Sequence, residues 1–261
     1  MSVNSSNKPD VDAPTPRKPR SRRWLAFALP FWTLASFGLA QVVLVGVLYG
    51  LRYVGVSFAT INQPVFSATV AACTYLLTLA IVIALPWWLK KYRVSRQDIG
   101  LTRLPSWMDI GLAPAGFVVY LIGSIAFITL IGAFVPSLDL QQAQDTGFGN
   151  LSYRYEYVVA FMTLVIIAPI AEEILFRGYL YGKLRKVVPV WVAVLIVSVV
   201  FGAVHGQWNV ALDVFVLSIV LCSLREVTGN IWAGMLLHML KNSLAFYLLF
   251  VNPTLLSTMG G

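Results

Sequence analysis

The stretch Ala168-Pro169-Ile170-Ala171-Glu172-Glu173-Ile174-Leu175-Phe176-Arg177-Gly178 decides how the chain is read. Two adjacent carboxylates and a guanidinium stand inside a run that is otherwise apolar enough to span a membrane. Charge at membrane depth costs about 2.5–3.5 kcal/mol per residue on insertion scales, so such residues mark a functional site by default. On a helix, residues four apart share a face and neighbours point about 100° apart. Glu173 and Arg177 are therefore expected to pair along the helix as architecture. Glu172 has no partner at that spacing and is expected to face another helix or a cavity.

Outward from this stretch, the whole chain has the same character. Of 261 residues, 58% are hydrophobic and 11% charged, far below the ~25% charged residues of soluble domains. The pattern predicts an all-α, polytopic transmembrane helical bundle of about seven spans. Those spans are about Trp24–Leu51, Pro64–Leu89, Trp107–Val135, Tyr155 to the basic cluster Lys183-Leu184-Arg185-Lys186, Val188–His205, Asn209–Leu224 and Ile231–Val251. Residues 1–23, rich in Pro, Ser and basic side chains, read as a disordered basic tail. Residues 24–150 hold the N-terminal spans, 151–251 the segment with the unusual polar residues, and 252–261 a short C-terminal tail. Cys73 and Cys222 both lie in apolar runs and read as buried small residues.

The net charge of +8 falls on the tail, the 90–103 loop, the 183–186 turn and Arg225. In a membrane protein this pattern reports orientation, not nucleic-acid binding, and places the N-terminus in the cytoplasm. No internal repeat of the kind found in transporters with inverted halves is visible.

Two further polar constellations follow the first. Phe201-Gly202-Ala203-Val204-His205 ends the fifth span. If the fourth and fifth spans fold back near Val187–Pro189, Glu172 and His205 each lie about 25 Å from the turn, at about 1.5 Å per residue. They are then level. His238-Met239-Leu240-Lys241-Asn242 places His238 and Asn242 on one face of the last span. A carboxylate, two imidazoles and an amide at similar depth suit hydrolysis of an amide. Glu172 with His205 can hold and deprotonate a water, and His238 and Asn242 can donate to a developing oxyanion. Asp213, within the sixth span, faces the cavity or pairs with Arg225 or Lys241.

Glu172-Glu173-x-x-x-Arg177, Phe201-x-x-x-His205 and His238-x-x-x-Asn242, in this order on successive apolar segments, resemble the CPBP family. That family comprises the type II CAAX prenyl endopeptidases and their bacterial relatives, also called the Abi family. The neighbouring residues agree: Glu-Glu-Ile-Leu-Phe-Arg-Gly-Tyr-Leu at 172–180 and Thr-Gly-Asn-Ile-Trp-Ala-Gly-Met-Leu-Leu-His at 228–238. The resemblance covers about 150–250. It implies an intramembrane endopeptidase of a bacterial cell membrane acting on a membrane-associated polypeptide, with prenylated CAAX proteins the family's eukaryotic substrates. It implies Glu172 as general base, His205 as its partner, and His238 and Asn242 at the oxyanion. No cofactor is needed by that mechanism, although Glu172, His205 and His238 would be a chemically adequate set for Zn²⁺. Two other readings stay open: a non-proteolytic scaffold or bacteriocin-immunity protein of the same fold, and a proton-coupled transporter using Glu172 and Asp213. The oligomeric state is left open.

Overall fold

A computed structural model describes residues 24–90, 94–139, 146–149 and 151–255. The expected tail at 1–23, residues 91–93, 140–145 and 150, and the end of the chain from 256 lie outside the described residues. Among those described, the structure is helical, with seven segments in sequence order. These are α1 (Leu25–Tyr53), α2 (Gln63–Lys90), α3 (Trp107–Phe134), α4 (Arg154–Leu184), α5 (Val190–Ala203), α6 (Trp208–Thr228) and α7 (Trp232–Val251). Five of them, α1 to α4 and α7, are long and apolar enough to cross a membrane. The expected polytopic helical bundle is therefore what forms.

The helix starts follow from local chemistry. Ser106 caps α3, its hydroxyl accepting from the Asp109 N–H while the Asp109 carboxylate accepts from the Ser106 N–H. This reciprocal box satisfies two otherwise orphaned donors. Arg103 adds a paired contact to the same carboxylate. At the start of α4, Glu156 accepts from the backbone N–H groups of Ser152 and Tyr153 and from the Asn62 amide. That last bond ties the α1–α2 connection to α4.

Packing makes α4 the centre. It is the most buried of the five long helices, whereas α1 and α3 are among the least and turn wide apolar faces outward, as lipid-facing spans do. The core around the second half of α4 consists of Leu180, Tyr181, Leu184, Val197, Phe201 and Cys222, all fully buried. Cys73, by contrast, lies on the exposed side of α2, so the expectation of two buried cysteines holds only for Cys222.

Two glycines permit close approaches of backbone to backbone. A Cβ on Gly178 would stand 2.1 Å from the Ile99 carbonyl oxygen, so the 94–106 loop can lie on α4 only because residue 178 has no side chain. A Cβ on Gly202 would stand 2.9 Å from the Ala211 carbonyl oxygen, which sets the close crossing of α5 and α6.

One end of the bundle gathers the basic loops. The Ile231 N–H donates to the Gly100 carbonyl, the Asn230 amide to the Thr102 hydroxyl, and Arg185 pairs with Glu226. The 94–106 loop, the end of α4, the end of α6 and the start of α7 thus share one end, as the charge pattern requires.

Candidate active site

Pro169 shapes the helix that carries the site. A proline has no N–H to donate. Just ahead of it, residues Met162–Ile167 widen into a π-helical turn, in which an N–H at residue 169 would serve the carbonyl five residues back. That carbonyl belongs to Leu164. In place of the missing donor, the Asn242 side-chain amide donates to the Leu164 oxygen at 2.8 Å. The defect in α4 is closed by a side chain of α7. A second widened stretch, Glu173–Tyr181, begins directly after Glu172. Such bulges are rare and concentrate at functional sites.

The two glutamates part as their spacing predicts. Glu173 and Arg177 are fully buried and paired at 2.8 Å along the helix. The guanidinium lies over the Phe201 ring, 4.2 Å from its centre. This leaves Glu173 Oε2, Arg177 Nε and Arg177 Nη2 buried without a hydrogen-bond partner. A Cβ at position 234 would press on Glu173 Oε2 at 3.1 Å, so Gly234 is what lets α7 close over this pair. Glu172 turns the other way. Its Oε1 accepts from the Tyr75 hydroxyl of α2 at 2.5 Å, and its Oε2 stands 3.7 Å from His238 Nε2.

His238 sits between both carboxylates. Its Nδ1 lies 3.1 Å from Glu173 Oε1. A carboxylate can only accept, so Nδ1 carries the proton and the Nε2 that faces Glu172 is the variable position. His205 is fixed by the same logic. Its Nδ1 lies 2.7 Å from the Phe201 carbonyl oxygen, which can only accept, so Nδ1 carries the proton and Nε2 is left as the acceptor of the neutral ring. The Phe201 ring meets both imidazoles edge to face, at 4.9 Å for His205 and 5.9 Å for His238. One apolar wedge holds both rings.

His205 lies within electrostatic range of Glu172, His238 and Lys241. Its helix is short. α5 has 14 residues, about 21 Å, against a hydrocarbon core of about 30 Å. The α5–α6 turn, with Gly206 at φ +70°, therefore closes short of a full crossing. Irregular backbone at such depth is tolerated where it is buried or lines a polar cavity.

Asp213 resolves to one of its two expected partners. Lys241 Nζ stands 3.3 Å from its Oδ2, while the hydroxyls of Tyr120 and Ser124 both donate to its Oδ1 at 2.6 and 2.7 Å. Arg225 is elsewhere, at the basic end. Sequence reasoning missed Tyr75, Tyr120 and Ser124. The available signal was a hydroxyl in an apolar span, which must find an acceptor.

Among the described residues no group of three or more His, Cys, Asp or Glu side chains is drawn together as a metal site. His238 and His205 each use Nδ1 on a neighbouring oxygen and keep Nε2 towards the site.

The comparisons with known proteins fall on this segment. Residues 154–244 match the family described as type II CAAX prenyl endopeptidase Rce1-like. The "Uncharacterized 24.3 kDa protein" of Escherichia coli is 30% identical over 89 residues, which cover 32% of this chain and 41% of that protein. The "Putative membrane peptidase YdiL" of Bacillus subtilis (strain 168) is 33% identical over 78 residues, 30% of this chain and 32% of that protein. The chain thus spans less than half the length of these curated relatives. No solved structure gives a significant match. The likeness read from the three motifs therefore holds over residues 154–244, the part that carries all of them.

Proposed function

We propose that the protein is an intramembrane endopeptidase that hydrolyses a peptide bond of a membrane-associated polypeptide, with Glu172 as the base. The observation that carries this reading is the division of labour on one carboxylate. Glu172 Oε1 is tied to Tyr75, while Oε2 faces His238 Nε2 across 3.7 Å, with His205 within range. That gap is wider than a direct hydrogen bond and leaves Oε2 open to a water.

The chemistry follows from the hydrogen positions. Glu172 Oε2 takes a proton from water while His205 Nε2, the free acceptor of its ring, orients it. The water oxygen bonds to the peptide carbonyl carbon, and the carbonyl oxygen becomes an oxyanion. His238 donates to that oxyanion from Nε2 when that nitrogen carries a proton. Glu173 holds the ring through Nδ1, so its role in this reading extends beyond the pair with Arg177. Asn242 supplies its second amide N–H, the first being held by Leu164. The tetrahedral adduct then collapses, the C–N bond breaks, and the amine leaves with the proton from Glu172.

The charge pattern favours a cytoplasmic N-terminus, with the basic end of the bundle facing the cytoplasm. The matched family favours substrates with a C-terminal CAAX-like end, prenylated ones included. In this reading the water is activated without a resident Zn²⁺, because Glu172 and His205 together supply the base and the acceptor that it needs. Proteoliposomes charged with BODIPY-labelled casein test the chemistry. Wild type should release fluorescence, while Glu172→Gln and His205→Ala should not. Retention of cleavage by Glu172→Gln would end the reading, and a biological role fully restored by that variant would favour the scaffold instead.

A further inference from the structure

Among the described residues, the direct hydrogen bond to the Glu172 carboxylate comes from outside the matched segment. Tyr75 lies in Thr74-Tyr75-Leu76-Leu77, midway along α2. A phenol there has no water to serve it and must find an acceptor. Its hydroxyl donates to Glu172 Oε1 at 2.5 Å, and its ring leans on Phe37 of α1 with centres 6.4 Å apart. The bond lies in an apolar medium, the setting in which hydrogen bonds are strongest. It also removes a degeneracy. A carboxylate free to rotate would present either oxygen to a water. Here Oε1 is occupied, and Oε2 is the oxygen opposite His238.

We propose that Tyr75 is the positioning residue of this site, its hydroxyl holding the Glu172 carboxylate so that Oε2 alone addresses the water. The inference rests on the reading of Glu172 as the base. It makes α1 and α2 part of the working unit, although the family match begins only at residue 154. The hydroxyl acts through Glu172; it does not touch the scissile bond.

The probe is dicyclohexylcarbodiimide, a membrane-soluble reagent for carboxyl groups in apolar surroundings, applied to the full chain in lipid nanodiscs at neutral pH. Modification is mapped by peptide mass spectrometry at Glu172, with Glu156 and Asp213 as internal references. Tyr75→Phe keeps the ring and removes the donor, so modification at Glu172 should speed up about tenfold, the value of one hydrogen bond to a charged group, while the references stay unchanged. Phe37→Leu loosens the ring without touching the hydroxyl and should leave Glu172 as in the wild type. An unchanged rate at Glu172 in Tyr75→Phe, an equal rise at all three carboxylates, or a rise in Phe37→Leu as large as in Tyr75→Phe would overturn the proposal. In casein cleavage, Tyr75→Phe should lower kcat with KM unchanged. A Glu172→Gln protein that still cleaves would end the base reading and leave the labelling result standing, so the two failures are distinguishable.

Discussion

Two of the tyrosine–carboxylate pairs among the described residues, Tyr75–Glu172 and Tyr120–Asp213, are finished differently. Asp213 receives Tyr120 and Ser124 on one oxygen and Lys241 on the other. Its charge is balanced and its acceptor sites are filled. Glu172 receives Tyr75 on one oxygen, while the other has only His238, at 3.7 Å. A buried carboxylate that is fully served holds helices together. One that is half served is costly to keep and has a free oxygen with which to react. By this measure Asp213 is a strut between α3, α6 and α7, and Glu172 is the reacting group.

The largest expected effect breaks the open cluster at its centre. Glu172→Gln keeps the shape and the Tyr75 contact but cannot take a proton. Cleavage should fall by about 10²–10⁴, the range of a positioned general base, with little change in the Tm of the purified protein. Arg177→Met comes next. It leaves Glu173 buried without its guanidinium, with only the His238 ring at Oε1, and should destabilise the fold by about 3–5 kcal/mol, seen as a lower Tm together with lost activity. The contrast with Glu172→Gln is the point: one variant should be inactive and stable, the other inactive and unstable.

The closed cluster should behave as structure. Lys241→Met leaves Asp213 with two hydroxyl donors and no balancing charge. It should cost about 1–3 kcal/mol in unfolding experiments, with kcat reduced only in proportion to the folded fraction. A loss of turnover in fully folded Lys241→Met protein would erase the distinction between the clusters. Asn242→Ala is expected to show a smaller change in stability, about 1 kcal/mol for the bond to Leu164, because the Leu164 carbonyl can recover a water from the site. The smallest effect is expected from metal removal: dialysis of active protein against EDTA should leave turnover unchanged, since the proposed water activation uses only Glu172 and His205.

Much of this architecture was legible in the residues. Apolar run lengths define the helical segments, because a span must bury its backbone polar groups in its own hydrogen bonds. Helical spacing gives the Glu173–Arg177 pair, and hairpin arithmetic anticipates that His205 comes within electrostatic range of Glu172. The rest depends on contacts between helices, which one-dimensional spacing does not encode. Tyr75 is 97 residues from Glu172 in the chain, and nothing in its neighbourhood distinguishes it from an interfacial phenol. The Asn242–Leu164 bond depends on a π-turn ahead of Pro169, a departure from the helical period that residue spacing alone assumes. The place of His238 between both carboxylates follows from the close approach that Gly234 allows. The proline and the glycine were visible, but their consequences were three-dimensional.

The central claim, that the open oxygen of Glu172 performs peptide hydrolysis, is tested most directly by quantitative membrane proteomics. Cells carrying the wild-type protein are compared with cells carrying Glu172→Gln at equal abundance. The account predicts that one or more membrane-associated polypeptides accumulate uncleaved in the variant, and that their shortened forms disappear. Identical sets of termini in the two membranes, with both proteins folded and equally abundant, would contradict it.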